Sequence, residues 1–535
     1  MGRQKAPTFL KNVIMIVFAQ ISVKLLGFVY RMVITNIDGF GDVGNGYYNF
    51  GYQIYTLLLA ISSIGIPNAI SKLVAERCAL DDFKGAMRIF RVALVLFFGV
   101  GLFFSGIMFF GAEFIADKIL DAPLAVHTIR VLSPALLFVS VSSVIRGFFA
   151  GQQNMKATNT SQVLEQFLKS LSTILIVLAM AGSSPEFMAA GATLATTIST
   201  ALSLAYLFIF YSANKKELKE KYISAPNLKL TGNTTKIAKT ILLVSIPISL
   251  GAIVASLNRV IDIVTINRCL KVAFSGTISN KALLDKEVIK LQGILSKTDV
   301  LINLPLALNT AFSTVLVPTV AGALAVKDYD TAKSKISLSL LISSVIALPC
   351  ATGYMALSAP ILNMIYPNAS DGAMIFTLVA PTVFFSAMSQ TIYGSLQGMG
   401  KIFIPAFSVL MGGLAKVILN LVLIPVPWIN IYGAPIGSIA CQSIAFFISF
   451  YVLRKNISIK LSFTKYFLKP LLAAVLMGGV AMGIHAVITP FAGNLIATAT
   501  AIIGGGVTYL ALILAFRVFS REELSLLPII GKKFK

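Results

Sequence analysis

The chain is a succession of apolar stretches, each about twenty residues long, separated by short polar segments. A stretch of that length spans the hydrocarbon core of a bilayer as an α-helix, because a helix satisfies its backbone hydrogen bonds internally. The predicted spans number about fourteen and cover 11–35, 46–70, 89–111, 126–150, 159–182, 187–211, 237–261, 298–322, 335–357, 374–396, 402–425, 432–453, 466–488 and 493–516. The sequence therefore predicts an all-α integral membrane protein without a separate soluble domain.

Basic residues are concentrated in alternate connecting segments. The chain carries 44 Lys and Arg against 21 Asp and Glu, a formal net charge of +23. With the N-terminus inside, most basic residues fall on the cytoplasmic side, which is the positive-inside pattern. Both termini are thus predicted to be cytoplasmic, and the remaining effect of the charge is attraction to anionic membrane lipids. No nucleic-acid partner is expected, because no basic patch lies on a soluble fold.

The segment 262–297 departs from this pattern, because it is predicted to be external yet carries six basic residues. Its stretch KALLDKEVIKLQGIL has apolar residues at about helical spacing. It is therefore interpreted as an external loop that either contains a short helix lying on the outer surface or is a solvated connection.

Two stretches, beginning at Leu132 and Val379, match at a constant offset of 247 residues. The matched positions are Pro134 with Pro381, Phe138 with Phe385, Ser142 with Ser389, Gly147 with Gly394, Gly151 with Gly398 and Lys169 with Lys416. Six predicted helices separate the copies, so both have the same orientation in the membrane. This predicts parallel repeats related by an axis along the membrane normal, with a site at their interface.

The repeat divides the chain into four parts. An N-lobe of helices one to six covers 1–211, and a cytoplasmic linker covers 212–236. A C-lobe of helices seven to twelve covers 237–454, and 455–535 holds two extra helices and a cytoplasmic tail.

Lys24 and Arg31 lie in the first apolar stretch, which contains no acidic residue. A cation at bilayer depth costs at least ~2.5–3.5 kcal/mol on insertion scales, so it normally faces a wet cavity or a partner. The seven-residue spacing lets both side chains point into one cavity, although Arg31 could instead snorkel to the outer interface. Asp262 lies three residues after Arg259, so Arg259 either pairs with Asp262 or contacts the substrate. We interpret Lys24, Arg31 and Arg259 as cavity cations for an anionic cargo.

Other polar and aromatic positions are candidates for secondary roles. Glu165 and Lys169 are four residues apart and are predicted to pair, in a structural or an ion-coupling role. Lys416, the repeat mate of Lys169, is a further candidate cation. Tyr52 and Tyr55 follow a glycine-containing segment, and their rings could line an outer mouth and stack on sugars or anchor the membrane interface.

The sequence gives no sign of catalysis. The four cysteines and two histidines show no metal-ligand spacing, and GMGK at 398–401 lacks the spacing of a phosphate-binding loop. We therefore expect a non-enzyme without metal or cofactor. Transport would draw on a coupling ion or the membrane potential.

The stretches VKLLGFVYRMVITNIDG and GNGYYNFGYQIYTLLLAISSIGIPNAISKLVAE, with the two repeats, resemble the multidrug/oligosaccharidyl-lipid/polysaccharide exporter superfamily. The best match within it is the branch of lipid II flippases and stage V sporulation protein B-like polysaccharide transporters. The resemblance implies two lobes that rock to expose a central cavity to either side in turn. It also implies that Lys24 meets the cargo diphosphate, that Arg31 lies one residue from a second family cation, and that the extra helix pair forms a lipid-tail groove.

The eighth predicted helix offers Asn303 and Asn309 as cavity-lining residues, but no arginine after Lys297. The predicted cavity has fewer cations than the cavity of the Gram-negative flippases, so the sequence leaves the identity of the cargo open.

The leading hypothesis is a flippase that moves an undecaprenyl-diphosphate-linked sugar, with lipid II as the first cargo, by alternating access. The alternatives are an exporter of another lipid-linked polysaccharide precursor, a MATE-like cation or drug antiporter, a membrane glycosyltransferase and a non-transporting scaffold. We expect a monomer in the bacterial cytoplasmic membrane whose partners are membrane lipids, the lipid-linked oligosaccharide and cell-wall synthesis proteins.

Overall fold

The computed structural model describes residues 22–225, 233–457, 462–520 and 523. Part of the predicted linker and most of the C-terminal tail lie outside these residues. The described residues form α-helices with short 3₁₀ and π segments and contain no β-strand.

The helices follow one another with short connections. They are α1 (22–35), α2 (Gly41–Ser62), α3 (Ile66–Ala79), α4 (Phe83–Phe110), α5 (Ala112–Phe114), α6 (Val126–Gly151), α7 (Met155–Ala179), α8 (Pro185–Ala213), α9 (Lys215–Ser224), α10 (Thr234–Phe274), α11 (Lys281–Ala325), α12 (Tyr329–Ala356), α13 (Ser358–Ile365), α14 (Ala373–Val379), α15 (Thr382–Gly398), α16 (Phe403–Leu423), α17 (Gly433–Ile457) and α18 (Lys469–Ala515). The π segments are Ile115–Ile119 and Thr464–Leu468, and the 3₁₀ segments are Pro123–Ala125 and Asn430–Tyr432.

Twelve of the described helical segments are long and apolar enough to cross a membrane. Their outward side chains are apolar, as lipid requires: Val95 is 74% exposed and Phe110 is 86% exposed. The predicted class, an all-α multi-pass membrane protein, is confirmed. The number fourteen stays a prediction, because the first predicted span is described only in part and Thr464–Ala515 is one merged segment.

The merged segment reverses at Gly493, whose φ of 73° and ψ of 173° favour glycine. The two arms pack closely, since a Cβ on Gly504 would lie 2.6 Å from Ile484 Cδ1 and one on Gly505 3.2 Å from Ala481 Cβ. Small residues permit this approach of two helices within a membrane.

Two compact units divide the chain, Met1–Gly293 and Ile294–Lys535. This division falls inside α11, whereas the sequence placed a linker at 212–236. The physical reason is that α10 packs against α2 and α3 of the first unit. A Cβ on Gly65 would overlap the Ser249 hydroxyl and the Ser245 carbonyl of α10, so only glycine allows this contact.

Within the units, repeat mates pack in the same order. In the first unit α6 packs against α4 and α8, and α7 packs against α8. In the second unit α15 packs against α12 and α17, and α16 packs against α17. A Cβ on Gly151 would lie 2.7 Å from Val74 Cβ, and one on its mate Gly398 would lie 2.9 Å from Val320 Cβ. The internal repeat is thus one of packing as well as of sequence.

The segment 262–297 is not a loop in the structure, and its external position stays a prediction. α10 continues to Phe274 and α11 begins at Lys281, which leaves a connection of only 275–280. The apolar residues at helical spacing in this segment extend the two neighbouring helices instead of forming a separate surface helix.

Candidate functional site

The first unit brings Lys24 of α1 and Arg259 of α10 near enough for their charges to interact. Both residues are exposed on the protein surface. Lys24 forms no hydrogen bond or ion pair with any residue in the described ranges, while Arg259 Nη2 donates to Ser256 Oγ at 3.0 Å. Two of the three predicted cavity cations therefore share one neighbourhood.

Arg31 lies in a different environment from Lys24. It is only 8% exposed, and its Cζ atom lies 4.3 Å from the centroid of the Tyr48 ring. A desolvated cation over an aromatic face gains about 2 kcal/mol or more. The expectation that Lys24 and Arg31 point into one open cavity is not met in this conformation, and Arg31 does not snorkel to the surface either.

Lys169 of α7 joins the same buried region. Its ammonium lies 3.3 Å from the Tyr52 hydroxyl and 4.4 Å from the centroid of that ring. The Tyr30 ring lies 5.7 Å from the ammonium on another side, and the Tyr30 and Tyr48 hydroxyls are 3.1 Å apart. We call Tyr30, Tyr48 and Tyr52 the tyrosine cluster. It packs against two buried cations, Arg31 and Lys169.

The predicted ion pair between Glu165 and Lys169 is not formed. Glu165 Oε2 instead accepts from Arg146 Nη2 of α6 at 2.7 Å. Arg146 is 7% exposed and also donates to Ser161 Oγ at 2.9 Å and to Ser203 Oγ at 3.0 Å. The correction has a physical reason: the guanidinium has several donors and satisfies acceptors on two neighbouring helices, whereas Lys169 turns to the tyrosine cluster.

The two candidate mouth tyrosines differ. Tyr52 is half-buried and stacks on Tyr48 with ring centroids 5.5 Å apart. Tyr55 is 3% exposed and belongs to the hydrophobic core of the first unit. In this conformation Tyr55 does not line an open surface, because it faces the helices packed around α2.

The segment that carries these tyrosines is tightly packed at its start. A Cβ on Gly46 would lie 2.7 Å from Ile289 Cγ2, and one on Gly293 would lie 3.0 Å from the Gly46 nitrogen and overlap the Asp42 carbonyl. The α2–α11 crossing is therefore closed, and glycines allow it.

The candidates in the second unit lie in three settings. Asn303 is exposed and donates to the Asp299 carbonyl at 2.7 Å. Asn309 is 1% exposed, donates to the Ala387 carbonyl at 2.7 Å and accepts from Ser343 Oγ at 2.7 Å. It cross-links α11, α12 and α15 and does not line an open surface. Lys416 is half-buried, and a Cβ on Gly437 would lie 3.1 Å from its Cγ.

The described residues contain no group of three or more His, Cys, Asp or Glu side chains that could hold a metal ion. The side chains brought together around α1 are cations and phenol rings.

Comparison with known proteins agrees with this architecture. The family described as polysaccharide biosynthesis protein matches residues 9–324, more than half of the chain. The protein therefore belongs to the polysaccharide biosynthesis protein family. This match confirms the predicted membership of the multidrug/oligosaccharidyl-lipid/polysaccharide exporter superfamily. Within that superfamily, the chain falls in the branch that resembles lipid II flippases.

Two curated relatives come from Bacillus subtilis strain 168. Stage V sporulation protein B is 25% identical over 98% of this chain and 98% of its own length. Lipid II flippase MurJ is 26% identical over 75% of this chain and 74% of its own length.

Two solved structures share the fold. A lipid II flippase MurJ in an inward closed conformation has a TM-score of 0.68 at 16% identity, covering 95% of this chain and 99% of that one. An inward-facing multidrug resistance MATE transporter of the same superfamily has a TM-score of 0.65 at 15% identity, covering 83% and 98%.

Proposed function

We propose that this protein is a flippase that moves a lipid-linked sugar across the cytoplasmic membrane by alternating access. The proposed cargo is a sugar on undecaprenyl diphosphate, with lipid II, the peptidoglycan precursor, as the first candidate. The Bacillus relative named lipid II flippase supports this proposal, and so does the shared fold of the solved flippase.

The observation that carries the proposal is the nearness of Lys24 on α1 to Arg259, which lies in a helix long and apolar enough to cross a membrane. Two like charges repel one another, and each is costly to remove from water. A diphosphate between them would turn repulsion into attraction on both sides. Because Lys24 has no acidic partner in the described part of the chain, its charge is available to such a ligand.

In this proposal the two buried cations act after the first contact with the cargo. Arg31 and Lys169 are covered by the tyrosine cluster in the present conformation. We assign the first contact with the head group to Lys24 and Arg259, and contact with Arg31 to a conformation in which α1 has moved.

A second candidate cargo is another lipid-linked polysaccharide precursor. The family description and the full-length match to a sporulation protein support it. The same cations would hold any diphosphate-linked glycan, so the glycan itself distinguishes the two cargoes.

A MATE-like drug antiporter is an alternative that the shared fold supports. However, a cationic drug would be repelled by Lys24 and Arg259.

The proposed transport uses a coupling ion or the membrane potential, and the chain acts as a monomer with both termini in the cytoplasm. Cell-wall synthesis proteins that supply or consume the lipid-linked sugar are the proposed protein partners. No catalytic role is assigned.

Translocation of lipid II by the purified protein in reconstituted vesicles tests the function. We expect Lys24→Gln and Arg259→Gln each to slow translocation about tenfold or more, and Lys24→Arg to retain most of it, because loss of one charge-assisted contact costs at least ~1.4 kcal/mol. Lys286→Gln, an exposed neutralisation on α11, is the matched control. Wild-type translocation by the Lys24→Gln, Arg259→Gln double variant would refute the proposal.

Depletion of the protein in cells that lack redundant flippases identifies the cargo. The lipid-linked precursor that accumulates on the inner leaflet is the one the protein moves. Accumulation of lipid II supports the first candidate, and accumulation of another lipid-linked glycan supports the second.

A further inference from the structure

A cavity with a mixed polar and apolar lining lies in the first unit, formed by three segments that the cation site does not use. Its volume is about 440 Å³, within the range of small-ligand sites. The lining residues are Cys78, Asp81 and Phe83 from the α3–α4 turn, Gln152 after α6, and Lys221, Ser224 and Ala225 at the end of α9. These segments are predicted to be cytoplasmic from the distribution of basic residues.

The wall of the cavity is held by packing and by a helix cap. Leu218 of α9 is 5% exposed and lies in the same hydrophobic core as Phe83 and Ala225. Asp82 accepts from the Gly85 nitrogen at 2.8 Å at the start of α4 and pairs with Arg77 at 3.2 Å. The α3–α4 turn and α9 are therefore fixed relative to each other within this unit.

Two side chains offer donors to a ligand. The Nε2 atom of Gln152 is buried and has no acceptor among the described residues. Lys221 bonds Glu217 at 2.6 Å but is half exposed, and an ammonium has three donors. A ligand oxygen in the cavity would satisfy the Gln152 donor, which is otherwise costly to bury.

Basic side chains surround this cavity, and apolar side chains lie at its rim. The Lys84 ammonium and the Arg91 guanidinium carbon each lie 5.9 Å from the centroid of the Tyr222 ring, next to Lys221 in sequence. Leu80 is 65% exposed and Ile223 is 68% exposed, each beside a lining residue. Positive charge with an apolar rim suits a phosphate attached to an acyl chain. The Asp81 carboxylate disfavours polyphosphates.

We propose that this cavity binds a single phosphate group through Gln152 and Lys221, as a site separate from the one that holds the cargo. The phosphate belongs either to a membrane lipid head group or to a soluble phosphate ester. Both sources present anionic, non-bridging phosphate oxygens to the same two donors.

Binding to the delipidated full-length protein, measured by native mass spectrometry, tests the site with two probes. The lipid probe is phosphatidylglycerol, and the soluble probe is glycerol 3-phosphate, its head group alone. We expect Lys221→Gln and Gln152→Glu each to weaken binding about tenfold, since each removes a donor to a charged group. Asp81→Asn should strengthen binding several-fold, because it removes a like charge from the cavity.

Lys216→Gln is the matched control, because it removes one charge from the same helix outside the cavity lining. Binding of the lipid alone identifies a head-group site, whereas competition by glycerol 3-phosphate identifies a site for soluble esters as well. The proposal is overturned if Lys216→Gln weakens binding as much as Lys221→Gln, or if Asp81→Asn weakens it. If Gln152→Glu fails to fold, the expected increase in phosphate affinity of Asp81→Asn still tests the site. Lipid II translocation by Lys221→Gln is expected to stay near wild type, so this test is independent of the proposed flippase activity.

Discussion

Lys271 of α10 lies between two carboxylates, with its ammonium 2.7 Å from Asp285 Oδ1 and 3.1 Å from Asp121 Oδ2. Its neighbours Asn267 and Arg268 donate to backbone carbonyls of 118–121, at 2.7 Å from Leu120 O and from Lys118 O respectively. One face of α10 is thus fastened to the segment that follows α4. This contact explains why α10 belongs to the first compact unit.

Replacing Lys271 tests this fastening. We expect Lys271→Met to destabilise the protein by about 1–2 kcal/mol, since it leaves two partly exposed carboxylates without their shared donor. Thermal unfolding in detergent measures the loss. Asp285→Asn combined with Lys271→Met should cost less than the sum of the single changes. Lys286→Met, an exposed position on α11 next to Asp285, should have little effect.

The pairing of Arg146 with Glu165 can be tested by a double-mutant cycle. Arg146→Gln should destabilise the protein by about 3 kcal/mol, because Glu165 loses a charged partner in a low-dielectric setting. The Arg146–Glu165 coupling should exceed 1 kcal/mol. The same cycle for Glu165 and Lys169 should give near zero, and a larger value there would restore the ion pair that the sequence predicted.

Lys169→Met should separate stability from transport. The substitution keeps an unbranched side chain that is one atom shorter and removes the cost of burying an ammonium, so the unfolding temperature should hold or rise. Lipid II translocation should fall several-fold, because the charge behind the tyrosine cluster is lost. A marked fall in the unfolding temperature would show that the cation–π contacts stabilise the fold more than desolvation weakens it.

Two glycine substitutions should act in opposite directions. Gly293→Ala should force α2 and α11 apart, because its Cβ overlaps the Asp42 carbonyl. We expect a loss of at least ~1 kcal/mol and faster labelling of a cysteine introduced at Asn45. Gly251→Ala on α10 meets no atom within 4 Å and should stabilise its helix by up to ~1 kcal/mol. Equal effects of the two substitutions would contradict the tight crossing.

The sequence predicted the helical class and the glycines of the repeat, because hydropathy and small residues report directly on lipid exposure and close packing. It also placed Lys24 and Arg259 among three candidate cavity cations, but nothing local in the chain indicates that these two lie near each other. Their relation follows only from the way α10 packs in the first unit.

Side-chain partners were harder to predict. Spacing alone favoured Glu165 with Lys169, yet Arg146 lies nineteen positions from Glu165 in the chain and is its actual partner. Sequence alone favours a mouth lined by Tyr52 and Tyr55, because aromatic residues beside glycine also mark membrane interfaces. Burial of Tyr55 depends on the helices packed around α2, which a single stretch of sequence does not specify.

The tyrosine cluster has a mechanical consequence for α1. This helix carries the exposed Lys24 and, further along, presents the Tyr30 ring to the Lys169 ammonium of α7. A displacement of α1 toward an anion at Lys24 would therefore move the Tyr30 ring relative to the Lys169 ammonium on α7 and the Tyr48 hydroxyl on α2, so that a ligand at one end of this helix would disturb its contacts with two neighbouring helices.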